Sequence, residues 1–402
     1  MRRIALQVPL LIGAMAWAAA TALLLVNLAL PMLHHGPMKL SPPLTGVTYP
    51  EKPRGSWDSL LHGSYQASYA RLIGTRMPLY ADAVRLRNQV EYSLFGVSAI
   101  PALAVGPGPT LFELAYTEEY CARDIAAWRP GAEQWAAHIR EMQDIEERRG
   151  RVFLYVLTPS KVAQYPGIIP VGYTCPARPA DRTGMIPAWL AILKAAGVHV
   201  VDTTAVMKKA QGDYPFVMYP RGGSHWNDVG AALSQQAIMR ELNRLDPAGG
   251  FAPFTFTWHM TPKPTGIDVD IANLMNLIKP FPYDPVPVVD VQPAPPPVPC
   301  PETKVTIVGG SFSHAMLEFL RRTTCNPSAV EYEYWHAYTL HWTPKGPELQ
   351  IGADPAQRQA DVLGADVLVY EENEQIMRAP LHGQALWQFL HDQPPPHPGA
   401  AG

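Results

Sequence analysis

Val305-Thr306-Ile307-Val308-Gly309-Gly310-Ser311-Phe312-Ser313 is the stretch on which the reading of the fold turns. Its β-branched run suits a buried strand. Two glycines then let the backbone turn sharply and expose the next side chain. Ser313 to Arg322 reads as a helix. The same alternation recurs on either side. Gly131 to Arg149 carries Trp135, Ile139, Met142 and Ile145 at helical spacing. Arg151-Val152-Phe153-Leu154-Tyr155-Val156-Leu157 holds a continuous apolar run, as a buried parallel strand does. Ile186 to Ala196 reads as a helix stopped by Gly197, Val198 to Asp202 as a strand and Val229 to Leu245 as a helix. Asp366 to Tyr370 is a last strand. Strands alternating with helices predict an α/β fold, a parallel sheet with helices on both faces. Functional groups of such sheets collect at the carboxyl ends of the strands.

Composition narrows the function classes. Of 402 residues, 47% are hydrophobic and 17% charged, and the net charge is −3 with no long basic run. Nucleic acid is therefore not an expected partner. The 43 prolines predict long irregular connections. One dense stretch between 280 and 301 reads as a surface excursion of polyproline II character. At the N-terminus, Arg2 and Arg3 precede an apolar run from about Ile4 to Leu33. A membrane-spanning helix needs about 20 such residues, and a cleaved signal peptide has only about 7–15. Residues 1–35 are thus expected to form an uncleaved inner-membrane anchor, with the rest exported by the positive-inside rule. Residues 36–70 read as a linker, 71–390 as the functional domain and 391–402 as a disordered tail. Cys121, Cys175, Cys300 and Cys325 lack metal-ligand spacing. In an exported domain they suit two disulfides, with three pairings open.

Ser311 stands at a helix N-terminus, where free backbone N–H groups can hold the oxyanion of a tetrahedral intermediate. Gly309 and Gly310 make the turn, and Gly310 and Ser311 are the candidate oxyanion donors. The commoner use of a serine here is as a helix cap. His225, in Gly222-Gly223-Ser224-His225-Trp226-Asn227-Asp228, precedes another helix and suits a base that titrates near neutrality. Singly, such a histidine is more often an ordinary surface-loop residue. No His-Glu-x-x-His helix pair is present, and neither a metal nor another cofactor is expected. Trp226 is a candidate glycan contact, as are Tyr334, Trp335 and Tyr338, which lie within an aromatic run from Tyr332 to Trp342. Core packing is the more frequent role of such residues.

Together these segments resemble the SGNH-hydrolase-like O-acetyltransferases of the AlgJ/AlgX alginate-acetylation type, over about residues 70–385. The resemblance includes Thr158-Pro159-Ser160-Lys161 with Tyr165-Pro166, Asp268-Val269-Asp270-Ile271-Ala272-Asn273-Leu274, and Val369-Tyr370-Glu371-Glu372-Asn373-Glu374. The family's catalytic motifs are D-x-H-W and then G-x-S-[YF]-S, an order circularly permuted from ordinary SGNH enzymes. His225-Trp226 is similar to the first, and Gly309-x-Ser311-Phe312-Ser313 to the second.

The resemblance implies a flavodoxin-like SGNH fold with Ser311 as nucleophile and His225 as base. It implies acetyl transfer to an exopolysaccharide or cell-surface glycan, and a membrane-bound O-acyltransferase partner that supplies acetyl. The family's aspartate falls on Gly223. Three expectations follow from that departure. A Ser–His dyad can act alone, with His225 oriented by a carbonyl or by Asn227. Asp228 or Asp202 can replace the acid. Or catalysis is lost and the chain serves as a glycan-binding or scaffold subunit. An acetylesterase that gives the acyl group to water is the alternative enzymatic reading.

Overall fold

The computed structural model describes residues 41–394, apart from 171, 296–298, 324, 344 and 345, together with a few residues between 13 and 30. Most of the expected anchor, the end of the tail and part of the proline-dense stretch lie outside the described residues. Among those described, no helix is long and apolar enough to cross a membrane.

The chain divides into two compact units. The smaller comprises the residues up to Leu103 and Ile271–Phe281. It contains helices α1 (Trp57–Leu61), α2 (Ser64–Arg76) and α3 (Tyr80–Phe95). The segment expected to be a linker therefore holds α1 and the start of α2. Ser56 caps α1 through a reciprocal bond with Ser59, a local signal obscured by the surrounding prolines. The buried Asn88 of α3 donates to the Met275 carbonyl at 2.7 Å, tying the two chain segments of this unit together.

The larger unit, Ala104–Asp270 with Pro282 onward, carries the sheet. In chain order its elements include β1 (Leu103–Gly106), β2 (Thr110–Glu113), α4 (Leu114–Cys121), α5 (Ile125–Arg148), β3 (Val152–Thr158), α6 (Lys161–Gln164), α7 (Pro179–Ala195), β4 (Val200–Asp202), α8 (Thr203–Asp213), α9 (Asp228–Leu245) and β5 (Thr255–Thr261). Next in the chain is α10 (Asp270–Leu274), which beyond Asp270 belongs to the smaller unit. After it come β6 (Val286–Gln292), β7 (Lys304–Gly309), α11 (Ser313–Arg321), β8 (Ser328–Glu333), β9 (Tyr338–Thr343), β10 (Gly346–Ile351), α12 (Pro355–Gly364), β11 (Val367–Asn373) and α13 (Leu381–His391).

The main sheet runs β10-β9-β8-β7-β11-β3-β4. Its strands from β8 to β4 are parallel, and β9 and β10 add an antiparallel edge. The α/β expectation is borne out. The aromatic run from Tyr332 onward is mostly the β8–β9 hairpin. Part of the proline-dense stretch is β6, paired antiparallel with β5.

Both faces of the sheet are covered, and strand residues alternate between them. Leu154, Val156, Val305, Ile307, Val367 and Val369 pack into one core with residues of α8, α9 and α11. Phe153, Tyr155, Leu157, Val308, Leu368 and Tyr370 pack into the other with α5, α7 and α13. Central strands buried on both faces read as continuous apolar runs, which is why they were legible. Disulfides join Cys121 to Cys175 and Cys300 to Cys325.

Candidate active site

The carboxyl end of β7 delivers the Gly309-Gly310-Ser311 turn. Gly309 tolerates no side chain, because a Cβ there would stand 2.7 Å from Glu371 Oε2. The Gly310 N–H, expected to serve an oxyanion, instead donates to Glu371 Oε2 at 2.6 Å. Thr158 donates to the same carboxyl group. Burial pushes Glu371 up to about 7. Glu371 therefore works as a brace beneath the turn.

His225 is held by its neighbours in sequence. Trp226 is 1% exposed and packs edge-on against Phe312 at 5.1 Å. Its burial rules out the expected glycan contact and makes it an anchor for the loop. Asn227 Oδ1 accepts from the Gly230 N–H at 2.9 Å, capping α9, and Asn227 Nδ2 donates to the Val217 carbonyl. From behind, the buried Lys161 ammonium donates to the carbonyls of Leu111 (2.7 Å), Pro220 (2.6 Å), Arg221 (3.3 Å) and Gly223 (2.7 Å). Burial pulls Lys161 down to about 7. Three of its four partners lie in the loop that leads into His225.

The loop and the turn meet in one hydrogen-bonded chain. His225 Nε2 lies 2.7 Å from Ser311 Oγ. His225 Nδ1 lies 2.5 Å from Asp270 Oδ2. Asp270 Oδ1 accepts from the Ser224 N–H at 2.8 Å, so both carboxylate oxygens are engaged. The acid that meets His225 is therefore Asp270, and the three residues expected there, Asp228, Asp202 and Asn227, are elsewhere. Asp228 Oδ2 accepts from the Val289 N–H, Asp202 caps α8, and Asn227 caps α9. Gly223 explains the displacement. A Cβ at 223 would meet the Ile267 carbonyl at 2.4 Å and that of Asp268 at 3.0 Å. The segment that brings Asp270 to the histidine occupies the space an aspartate at 223 would need.

Tyr334 completes the site. Burial raises its phenol, and the Ser311 side chain and backbone beside it oppose that rise. The Tyr334 N–H donates to the Gly309 carbonyl at 2.8 Å. Tyr334 and Trp335 take the left-handed backbone conformation, at φ 48° and 67°. That conformation is costly for aromatic residues and is stored where a side chain must be aimed. Tyr334 is 40% and Tyr338 37% exposed. Trp335, at 7%, is buried under Arg358 and is not a surface for glycan stacking. The side chain of Trp342 lies outside the described residues.

Carboxylates surround this chain. Glu113 Oε2 accepts from the Ser224 hydroxyl at 3.2 Å. Burial raises Glu113, against that bond and the nearby His225. Glu333 ends β8 directly opposite Gly309. Burial raises it too, while His314 and His225 favour its charge. His314 sits between Glu331 (2.8 Å) and Glu333 (3.4 Å). Burial opposes the charge of His314, but the Glu331 bond and both carboxylates push it up to about 9.

The family model described as "SGNH hydrolase-like domain, acetyltransferase AlgX" matches residues 116–328, which is more than half of the sequence. The chain belongs to this family. Several solved structures resemble it at low sequence identity. The O-acetyltransferase domain of Pseudomonas putida AlgJ is 17% identical, with 73% of this chain and 100% of that one covered and a TM-score of 0.46. Pseudomonas aeruginosa AlgX is 12% identical, with 72% and 67% covered and a TM-score of 0.46. Bacillus cereus PatB1 is 13% identical, with 62% and 92% covered and a TM-score of 0.38. No curated protein matches by sequence. Within an AlgX-like chain, a serine, a histidine and an acid in hydrogen-bond sequence can perform acyl transfer through a serine ester.

Proposed function

We propose that this AlgX-family protein is an O-acetyltransferase that carries acetyl on Ser311 to hydroxyls of an exopolysaccharide or other cell-surface glycan. The observation that carries the reading is the continuous chain Ser311 Oγ–His225 Nε2 and His225 Nδ1–Asp270 Oδ2, at 2.7 and 2.5 Å. Ser311 Oγ attacks the acetyl carbonyl carbon as its proton passes to His225 Nε2. Asp270 holds the ring with Nδ1 protonated and stabilises the imidazolium that forms. The oxyanion is met by the Ser311 N–H and the Tyr334 phenol. Collapse breaks the bond to the donor's leaving group, which takes the proton from His225. A sugar hydroxyl then gives its proton to His225, attacks the serine ester, and leaves acetylated as Ser311 is reprotonated.

The proposal extends to setting. The apolar run from Ile4 to Leu33 behind Arg2 and Arg3 anchors the chain in the inner membrane, with the catalytic unit in the periplasm. A membrane-bound O-acyltransferase supplies the acetyl group. The sequence pattern supports the anchor. The two disulfides support an oxidising compartment.

The test is hydrolysis of a chromogenic acetyl ester and transfer from it to glycan hydroxyls, by the parent, Ser311→Ala and His225→Ala. Loss of both activities in both variants supports the reading. Equal rates in all three proteins overturn it. Hydrolysis with no transfer to any glycan makes the protein an acetylesterase.

A further inference from the structure

Lys161, His314 and Arg221, the cations described around the site, are each already engaged, and acidic side chains crowd the same space. On the proposed acyl-transfer reading, we infer that the acceptor is a glycan free of carboxylate, sulfate or phosphate groups: a neutral or amino-sugar polymer, as opposed to a polyuronate. Three acids frame the reacting atoms from three directions. Asp270 lies behind His225 at 2.5 Å. Glu113, at the end of β2, reaches Ser224 beside the histidine at 3.2 Å. Glu333, at the end of β8, pairs in register with Gly309 and precedes Tyr334, whose N–H donates to the Gly309 carbonyl. Glu371 lies beneath the turn at Gly310.

The cations that would have to offset an acidic sugar are bound elsewhere. Lys161 is 4% exposed and spends its protons on four backbone carbonyls. His314 is held between Glu331 and Glu333. Arg221, in the loop before His225, is paired with Asp284 at 2.7 Å. Burial raises the Tyr116 phenol, and Glu113, Tyr334, Glu371 and Asp270 raise it further. Recognition of a uronate calls for the planar fork of an arginine or a lysine point charge aimed at the carboxylate. This site offers repulsion in that place, at about tenfold or more in affinity for each close like charge. A sugar hydroxyl or ammonium, by contrast, meets no such repulsion, and half-buried Glu113 offers it a hydrogen-bond acceptor.

The experiment uses the full-length chain in detergent with 4-nitrophenyl acetate as donor, at about pH 8 so that ordinary carboxyls are ionised. EDTA removes any divalent cation able to bridge two carboxylates. Acceptors are oligomers of glucose, glucosamine and mannuronate of equal length, and acetylated products are read by mass spectrometry. The inference predicts kcat/KM for glucose or glucosamine oligomers at least about tenfold above that for mannuronate. It also predicts that the double variant Glu113→Gln, Glu333→Gln narrows this ratio by about tenfold. Mannuronate accepted as well as the others, or a ratio the double variant leaves unmoved, overturns it. Donor hydrolysis with no transfer to any oligomer overturns it and leaves Ser311 chemistry standing. Failure of the parent even to hydrolyse the donor removes both.

Discussion

Asp270→Asn tests where the triad acid went. In the parent, Asp270 Oδ2 accepts from His225 Nδ1 at 2.5 Å, and Oδ1 accepts from the Ser224 N–H at 2.8 Å. An asparagine keeps its oxygen on Ser224 and turns its NH2 group toward Nδ1. That nitrogen must then be unprotonated, so the ring proton moves to Nε2. His225 would face Ser311 as a donor, with nearly unchanged geometry and no basic lone pair. Loss of the acid in a serine triad in this way costs about 10⁴-fold in kcat, or ~5 kcal/mol. The expected result is a fall of about 10³–10⁴ in kcat for chromogenic acetyl ester hydrolysis, with KM little changed. Asp228→Asn and Asp202→Asn should stay within about threefold of the parent, since neither acid touches the histidine. Adding Gly223→Asp to Asp270→Asn should not restore activity, because the Ile267 carbonyl stands 2.4 Å from the required Cβ. Asp270→Asn within about tenfold of the parent, or rescue by Gly223→Asp, would refute the assignment.

Other outcomes follow from groups around the site. Lys161→Met should lower stability by about 3 kcal/mol or more and depress ester hydrolysis, because buried carbonyls lose their donor; an unchanged melting temperature would contradict the cage. Burial holds both Glu371 and Glu372 up to about 7 in the folded chain, against an ordinary value of 4.5. The folded state thus keeps protons that the unfolded chain releases, so their stabilisation is full below 4.5 and is lost as pH rises toward 7. Urea midpoints should fall across that window, and Glu371→Gln with Glu372→Gln should flatten the fall; a rising contribution would reverse the sign. Replacing Cys121 and Cys175 by serine should cost about 4 kcal/mol by the loop-entropy relation. The bridge closes a separation of 54 residues, and urea denaturation without reductant measures the loss.

The parallel strands were legible because burial on both faces makes them uninterrupted apolar runs, and the nucleophile turn because two glycines follow such a run. The antiparallel edge was not. Tyr332 and Trp335 were ambiguous between stacking and packing, and only the folded chain shows that both are buried, Tyr332 in β8 and Trp335 in the following turn beneath Arg358. Asp270 illustrates the deeper limit. It stands 45 residues from its histidine, in a segment noted only for a resemblance, and a sequence contains no distance. Lys161 was visible as part of a motif, but its role depends on four carbonyls that carry no side-chain signature. Tyr334 needed a left-handed backbone that no aromatic residue advertises.

The most direct test of the account is to find the acetyl group. The full-length chain is mixed with an acetyl donor, quenched in acid within the first turnover, digested, and read by mass spectrometry. The account predicts one acetyl ester on Ser311, formed far more slowly in His225→Ala and Asp270→Asn and absent in Ser311→Ala. Acetyl on another residue, or turnover with Ser311 unmodified at every time point, would contradict it.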